Sequence, residues 1–205
     1  MLHIVTGCMF AGKTSELVKV YNSTKNAVVL DYDTEVETNQ LNNETVKHGN
    51  LYTHDLDSIP CVKLTDLRLV NVMDHDIFLI NEAQFFKGLT EFVTCVLKNN
   101  KTVYVYGLDG DFKQKKFGEI IDLLPRADTY TKLYANCKCG AKASFSKRLS
   151  TFAGQYAPDD KYIPVCRKCL WFYRLFETFI VDCNCFACYI YRYNINYFFC
   201  LMSTI

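Results

Sequence analysis

The stretch "TGCMFAGKTSEL", residues 6–17, decides the fold. It contains G-x-x-x-x-G-K-T, from Gly7 to Thr14. An apolar β-rich run, "LHIVTG" (2–7), precedes it, and "GKTSELVKVYNSTK" (12–25) follows with Leu17, Val20 and Tyr21 on one helical face. Strand, glycine-rich turn and helix in that order form the setting in which this spacing binds phosphate. Gly7 and Gly12 let the backbone curl so that N–H groups converge on phosphate oxygens. The helix start adds its positive dipole end. Lys13 supplies a point charge for the β- and γ-phosphates, and the Thr14 hydroxyl suits magnesium. The expected ATP-binding set is therefore Gly7, Cys8, Met9, Phe10, Ala11, Gly12, Lys13, Thr14 and Ser15.

Working outward, three more short runs read as strands: "NAVVLDY" (26–32), "DIFLIN" (76–81) and "TVYVYGL" (102–108). "GLTEFVTCVLKNN" (88–100) reads as a helix with Leu89, Phe92, Val93, Val96 and Leu97 on one face. Strands alternating with helices predict an α/β fold with a parallel sheet. Residues 34–55 are polar and read as a loop or a locally ordered insertion. The alternation stops near Thr131, which divides the chain into a nucleotide-binding unit (1–130), a cysteine-bearing unit (131–170) and an aromatic extension (171–205).

The 205 residues carry a formal charge of +1 and are half hydrophobic, which argues against a nucleic-acid-binding surface and against disorder. Eleven cysteines, an odd number, behind a start that does not read as a secretory leader point to a reducing, cytoplasmic compartment. There, clustered cysteines more often bind metal. Cys137 and Cys139 form C-x-C, and Cys166 and Cys169 form C-x-x-C. Two such pairs suit a closed tetrahedral zinc site, the alternative being four free buried thiols. Cys183, Cys185 and Cys188 are competing ligands or a second site.

"INEAQFF" (80–86) ends the third strand at the carboxyl edge of the sheet, where open α/β sheets bind ligands. Phosphate-loop proteins usually place an aspartate for magnesium at the first position after the strand; here it is the uncharged Asn81. Glu82 follows, read either as a general base for an acceptor hydroxyl or as a plain loop residue. Phe85 and Phe86 read as stacking or core residues. In "LDGDFKQKKFGEI" (108–120), Phe112 and Phe117 can stack on a base, while Lys113, Lys115 and Lys116 read as a nucleic-acid patch or, more simply, a solvated face.

Together these segments closely resemble the type II thymidine kinases, the human cytosolic and poxvirus-type family. The resemblance runs through residues 3–170. It rests on "GCMFAGKTSEL", "THD" (53–55), "INEAQFF", "LDGDFKQKKFGEI", "SFSKRL" (144–149) and "DKYIPVCRKC" (160–169). It implies a RecA-like P-loop domain plus a small zinc-binding lasso domain. The implied activity is ATP-dependent phosphorylation of the thymidine 5′-hydroxyl, with Mg2+ and structural Zn2+. By position it makes Glu82 the general base, and puts Met9, Gln84, Phe85, Leu108, Phe112, Phe117, Arg148 and Tyr162 around the nucleoside. Thr14 and Asn81 fall at the magnesium, and Cys137, Cys139, Cys166 and Cys169 at the zinc. It also implies a homo-tetramer and dTTP as feedback inhibitor.

The chain departs from the family pattern at several points. Asn81 replaces the aspartate, "LDYDTEVETN" (30–39) is acidic where a lysine and an arginine are usual, and Leu56 follows THD. Ala157-Pro158 replaces Gly-Gly in the lasso, and the first cysteine pair is one residue short. These departures leave a second reading, a catalytically weakened nucleotide-binding relative; a nucleic-acid motor fits neither the length nor the charge. On the first reading an aspartate restored at 81 lowers the magnesium requirement. The tail (183–205) holds Arg192 as its one charge and reads as a packed extension rather than a membrane anchor.

Overall fold

The computed structural model of the chain describes residues 1–33, 46–53, 57–150, 154–157 and 160–173. Leu56, Pro158 and the tail cysteines Cys183, Cys185 and Cys188 lie outside these residues.

The four expected strands form as β1 (Leu2–Gly7), β2 (Ala27–Tyr32), β5 (Ile77–Ile80) and β6 (Thr102–Gly107). The two expected helices form as α1 (Lys13–Ser23) and α2 (Leu89–Lys98). With β3 (Lys47–Tyr52), β4 (Ser58–Leu64) and β7 (Thr129–Leu133), the strands form a seven-stranded sheet of order β3-β4-β2-β5-β6-β1-β7, parallel except where β3 meets β4.

Alternation along the strands explains the two-sided core. Ile4, Phe78, Ile80, Val103 and Val105 point to the face that packs with Phe92, Val93 and Val96 of α2. Val5, Leu79 and Tyr106, one position out of phase, point to the face that packs with Leu17 and Val18 of α1. Phe78, Leu79 and Ile80 are all fully buried, each contributing about 1.5–3 kcal/mol by leaving water. This is why β5 reads as a continuous apolar run, as a strand covered on both faces should.

Part of the sheet was less legible. β3 (Lys47–Tyr52) and β4 (Ser58–Leu64) pair antiparallel at one edge. Only Leu51 is buried in the first, and Ile59, Cys61 and Leu64 in the second. An edge strand with one wet face and a polar sequence resembles a loop, so residues 47–52 read as part of one. At the opposite edge β7 (Thr129–Leu133) pairs parallel with β1, so the sheet continues through position 130 before the cysteine-bearing lobe starts.

That lobe holds two small antiparallel pairs, β8 (Ala135–Asn136) with β9 (Lys142–Ala143), and β10 (Phe145–Arg148) with β11 (Tyr162–Val165). Among the described residues no helix is long and apolar enough to cross a membrane.

Because the strands run parallel, the loops after β1, β2, β5 and β6 leave the sheet at one edge. β6 lies between β1 and β5, so one strand separates the phosphate loop from Asn81 and Glu82.

Candidate active site

In the phosphate loop Gly12 sits at φ 81°, a left-handed conformation that an L side chain resists, and from it α1 begins. Phe10 also adopts positive φ, 65°, and is largely exposed. Lys13 is buried, and its Nζ donates to the carbonyls of Gly7 (3.1 Å) and Cys8 (3.0 Å), which fix it within the loop. Burial pushes the ammonium pKa below its usual range, and the charges of Glu82, Cys8 and Asp109 push back. Glu82 thus stands electrostatically against the loop lysine although 69 positions separate them in the chain.

Glu82 follows β5 directly and begins a short 3₁₀ turn, Ala83–Phe85, at φ 49°. A non-glycine residue there is strained by roughly 1–2 kcal/mol, a cost that concentrates at working sites. Gln84, almost fully buried, donates from Nε2 to Glu82 Oε2 at 2.6 Å and accepts from the Leu108 amide at Oε1, 3.0 Å.

Asn81 is buried, and its Nδ2 donates to Asp31 Oδ1 at 2.8 Å. Asp31, at the end of β2, is 8% exposed; burial pushes its pKa up, the Asn81 bond opposes this, and Glu82 adds to the rise. A carboxylate can only accept here, so the amide nitrogen must face it. The uncharged residue at 81 therefore has a buried acid for a neighbour, on the strand whose acidic sequence departs from the family pattern. An aspartate at 81 would meet that acid directly. The single change Asn81→Asp should lower the melting temperature by about 4 °C or more, on the scale of roughly 2 kcal/mol for an uncompensated buried charge. The double change Asn81→Asp with Asp31→Asn should recover it. Equal melting temperatures for the single and double variants in calorimetry would show that the two side chains do not face each other. The simple expectation for position 81 is therefore tested cleanly only in the exchanged pair.

The remaining expected nucleoside residues converge on an aromatic cluster. The Phe85 ring meets Tyr32 (5.2 Å), Phe117 (5.3 Å) and Tyr156 (4.7 Å). Arg148, 1% exposed, lies over the Phe112 ring at 4.0 Å. Its guanidinium donates to the Tyr162 hydroxyl and to the Gly154 and Gln155 carbonyls, and pairs with Asp160 at 3.2 Å. Gln155 in turn donates to Asp111 and to the Lys116 carbonyl. The arginine expected near substrate thus holds the backbone of the lasso. Leu108 is buried, and Met9 donates its amide to Ser146 Oγ. Met9 and Phe10 of the phosphate loop face Tyr156, Asp160, Tyr162 and Ile163 of the lasso across a cleft of about 400 Å³. Lys113, Lys115 and Lys116 are exposed, the solvated-face reading.

The Sγ atoms of Cys137, Cys139, Cys166 and Cys169 lie within 4.8 Å of one another. With metal–sulfur bonds near 2.3 Å, a tetrahedral centre needs sulfurs about 3.8 Å apart; Cys139 and Cys166 are at 3.6 Å. Burial opposes ionisation of Cys137, but hydrogen bonds from the Cys139 and Cys166 amides together with those from the Cys139 and Cys169 thiols outweigh it and bring the thiol down to about 7. C-x-C is short for a metal pair, yet a turn with Gly140 at φ 84° brings both sulfurs to one side. The cysteines present fit a four-thiolate metal.

Sequence reading missed Asp31, Tyr32, Tyr156 and Gln155. The one signal available was the acidic break "DYD" (31–33) at a strand end.

Two comparisons bear on this site. The family model described as thymidine kinase matches residues 1–170. The chain is 36% identical to the thymidine kinase of Yaba monkey tumor virus over 82% of its length and 93% of the relative's. It is 37% identical to that of fowlpox virus, over 83% and 96%. Thymidine kinase 1 of Dictyostelium discoideum is 34% identical, over 82% and 76%.

Proposed function

The chain belongs to the thymidine kinase family, and from that premise we propose how its own residues transfer the γ-phosphoryl group of ATP to the 5′-hydroxyl of thymidine, giving dTMP and ADP. The observation that carries this reading is that Glu82, directly after β5, and the phosphate loop, directly after β1, leave the sheet at the same edge with β6 alone between them.

Lys13 and the amides of residues 8–15 hold the triphosphate, with the α1 dipole behind them. Glu82 takes the proton of the attacking hydroxyl, which makes the oxygen nucleophilic as the phosphorus–oxygen bond forms. Phe85, Phe117 and Tyr156 offer apolar faces for a planar base. Arg148 and Tyr162 hold the lasso over it. Thr14, through its hydroxyl, and Asn81, through its side-chain oxygen, would hold magnesium as two neutral ligands, and the ion would offset the charge of the phosphates.

The thiolate cluster holds zinc on this reading. A homo-tetramer, inhibition by dTTP and a cytoplasmic location follow from the family resemblance. The discriminating experiment is ATP-dependent phosphorylation of labelled thymidine with deoxycytidine as competitor. Turnover of thymidine that excess deoxycytidine does not suppress is expected. ATP binding without thymidine turnover would instead establish the weakened-relative reading.

A further inference from the structure

The geometry assigns Gln84 a task that deepens the kinase reading and rests on it: we propose that Gln84 works through Glu82, as the positioning residue of the general base, and not as a nucleoside contact.

Both ends of the Gln84 amide are engaged. The Leu108 backbone N–H can only donate, so it fixes Oε1 on its side at 3.0 Å. Nε2 is then turned to Glu82 Oε2 at 2.6 Å, the short distance of a bond to a carboxylate. The orientation of the amide is thus set by its neighbours.

The surrounding chain is shaped around this side chain. A Cβ on Gly107 would come within 2.4 Å of Gln84 Oε1, and one on Gly118 within 2.2 Å of the Gln84 carbonyl oxygen. Two neighbouring segments thus give up a side chain where Gln84 lies. Gln84 is 3% exposed, and the bond it makes reaches back two positions to a residue held at φ 49°. A carboxylate on a strained turn has several rotamers, and productive proton transfer needs one of them. Gln84 selects it by linking the turn after β5 to the end of β6. That link joins the acid to the strand between it and the phosphate loop.

The test separates donor from acceptor. Gln84→Glu keeps an oxygen for the Leu108 amide and replaces the fixed amide donor with a carboxyl that must share a proton with Glu82; Gln84→Met removes both bonds. Thymidine affinity by calorimetry and kcat by the labelled assay are measured for each, alone and with Glu82→Gln. Expected are a kcat lowered by about tenfold to a hundredfold in Gln84→Glu and a thymidine Kd within about threefold of wild type. In the Glu82→Gln background neither change should lower kcat further, because residues acting as one unit are non-additive. A thymidine Kd weakened tenfold or more would overturn the proposal in favour of a substrate contact, and calorimetry reads this even in an enzyme without turnover. Full additivity with Glu82→Gln would overturn it as well. A wild-type protein that binds thymidine without phosphorylating it would sink the kinase reading, while the binding data would still judge Gln84. If Gln84→Met does not fold, Gln84→Glu decides the question alone.

Discussion

Glu82→Gln should lower kcat by a hundredfold or more while leaving the Kd of ATP and thymidine within about threefold, the scale expected when a general base is removed and binding is not. Glutamine is nearly isosteric, keeps an oxygen to accept from Gln84 Nε2, and leaves the turn backbone unchanged. The loss therefore reports the missing proton acceptor and not a collapsed loop. The other acids at this edge are engaged elsewhere: Asp109 pairs with Lys132, and Asp31 accepts from Asn81. Neither has the placement directly after β5 that Glu82 has. The change also takes a negative charge from the neighbourhood of Lys13, whose pKa burial already lowers and Glu82 supports. Removing that support lowers the lysine's pKa further, so any loss of phosphate binding should appear first at high pH. Steady-state kinetics at neutral and alkaline pH check both statements. A variant within tenfold of wild type at neutral pH would mean that the hydroxyl loses its proton to another group, or to the phosphates themselves.

How much of this was legible in the sequence depends on how local each signal is. The phosphate loop is one continuous stretch whose glycines, lysine and threonine each have a single physical reason to be there, so Lys13 and Thr14 stand where the spacing puts them. Glu82 reads from its position after a fully apolar strand. The α2 helix also reads from its periodicity, but its cap does not. Gly88 offers no side chain, and Glu119, 31 positions away, accepts from the Gly88 and Thr90 amides. The bond between Asp31 and Asn81 spans 50 positions and joins two strands, and no periodicity announces it. What the residues around Asn81 do was therefore invisible until β2 and β5 were seen side by side. Arg148 was legible as a motif position, but its hold on the Gly154 and Gln155 carbonyls was not, because a motif marks a position without saying which of its neighbours the guanidinium holds. Tyr156 lies in the lasso just before the Ala157-Pro158 departure from the family pattern, so no motif pointed to its contact with Phe85.

The thiolate cluster should govern the phosphate loop as well as the lasso. Among the described residues, the buried members of the small lobe's apolar cluster are Cys8, Ala135, Cys137, Ala143, Val165, Cys166, Cys169 and Leu170, half of them cysteines, with Phe145 and Tyr173 packed against them only part-buried. Its strands are two or four residues long, too little on their own to order a lobe without a metal or a disulfide. All the cysteines in the described residues are free of disulfides, so on the zinc reading the metal supplies that order. Cys166 is central to the cluster: its Sγ accepts from the Cys169 amide and lies 3.6 Å from Cys139. Cys166→Ser should reduce bound zinc from about one per chain to near zero and open the segment from about residue 134 to 170 to protease, because in small four-thiolate lobes the binding energy is the folding energy. The sheet should stay folded, since its two cores lie outside this lobe. The lobe also touches the nucleotide site twice: Cys8 Sγ donates to the Ala143 carbonyl, and Ser146 Oγ accepts from the Met9 amide. Loosening it frees the phosphate loop on one side and the Arg148–Tyr162 clasp on the other. Zinc loss should therefore weaken ATP and thymidine binding together, each by about tenfold or more, where damage to the lasso alone would weaken thymidine only. Metal analysis, limited proteolysis and paired calorimetric titrations on Cys166→Ser decide this. A zinc-free variant that binds ATP as tightly as wild type would show that the two contacts do not couple the lobe to the loop.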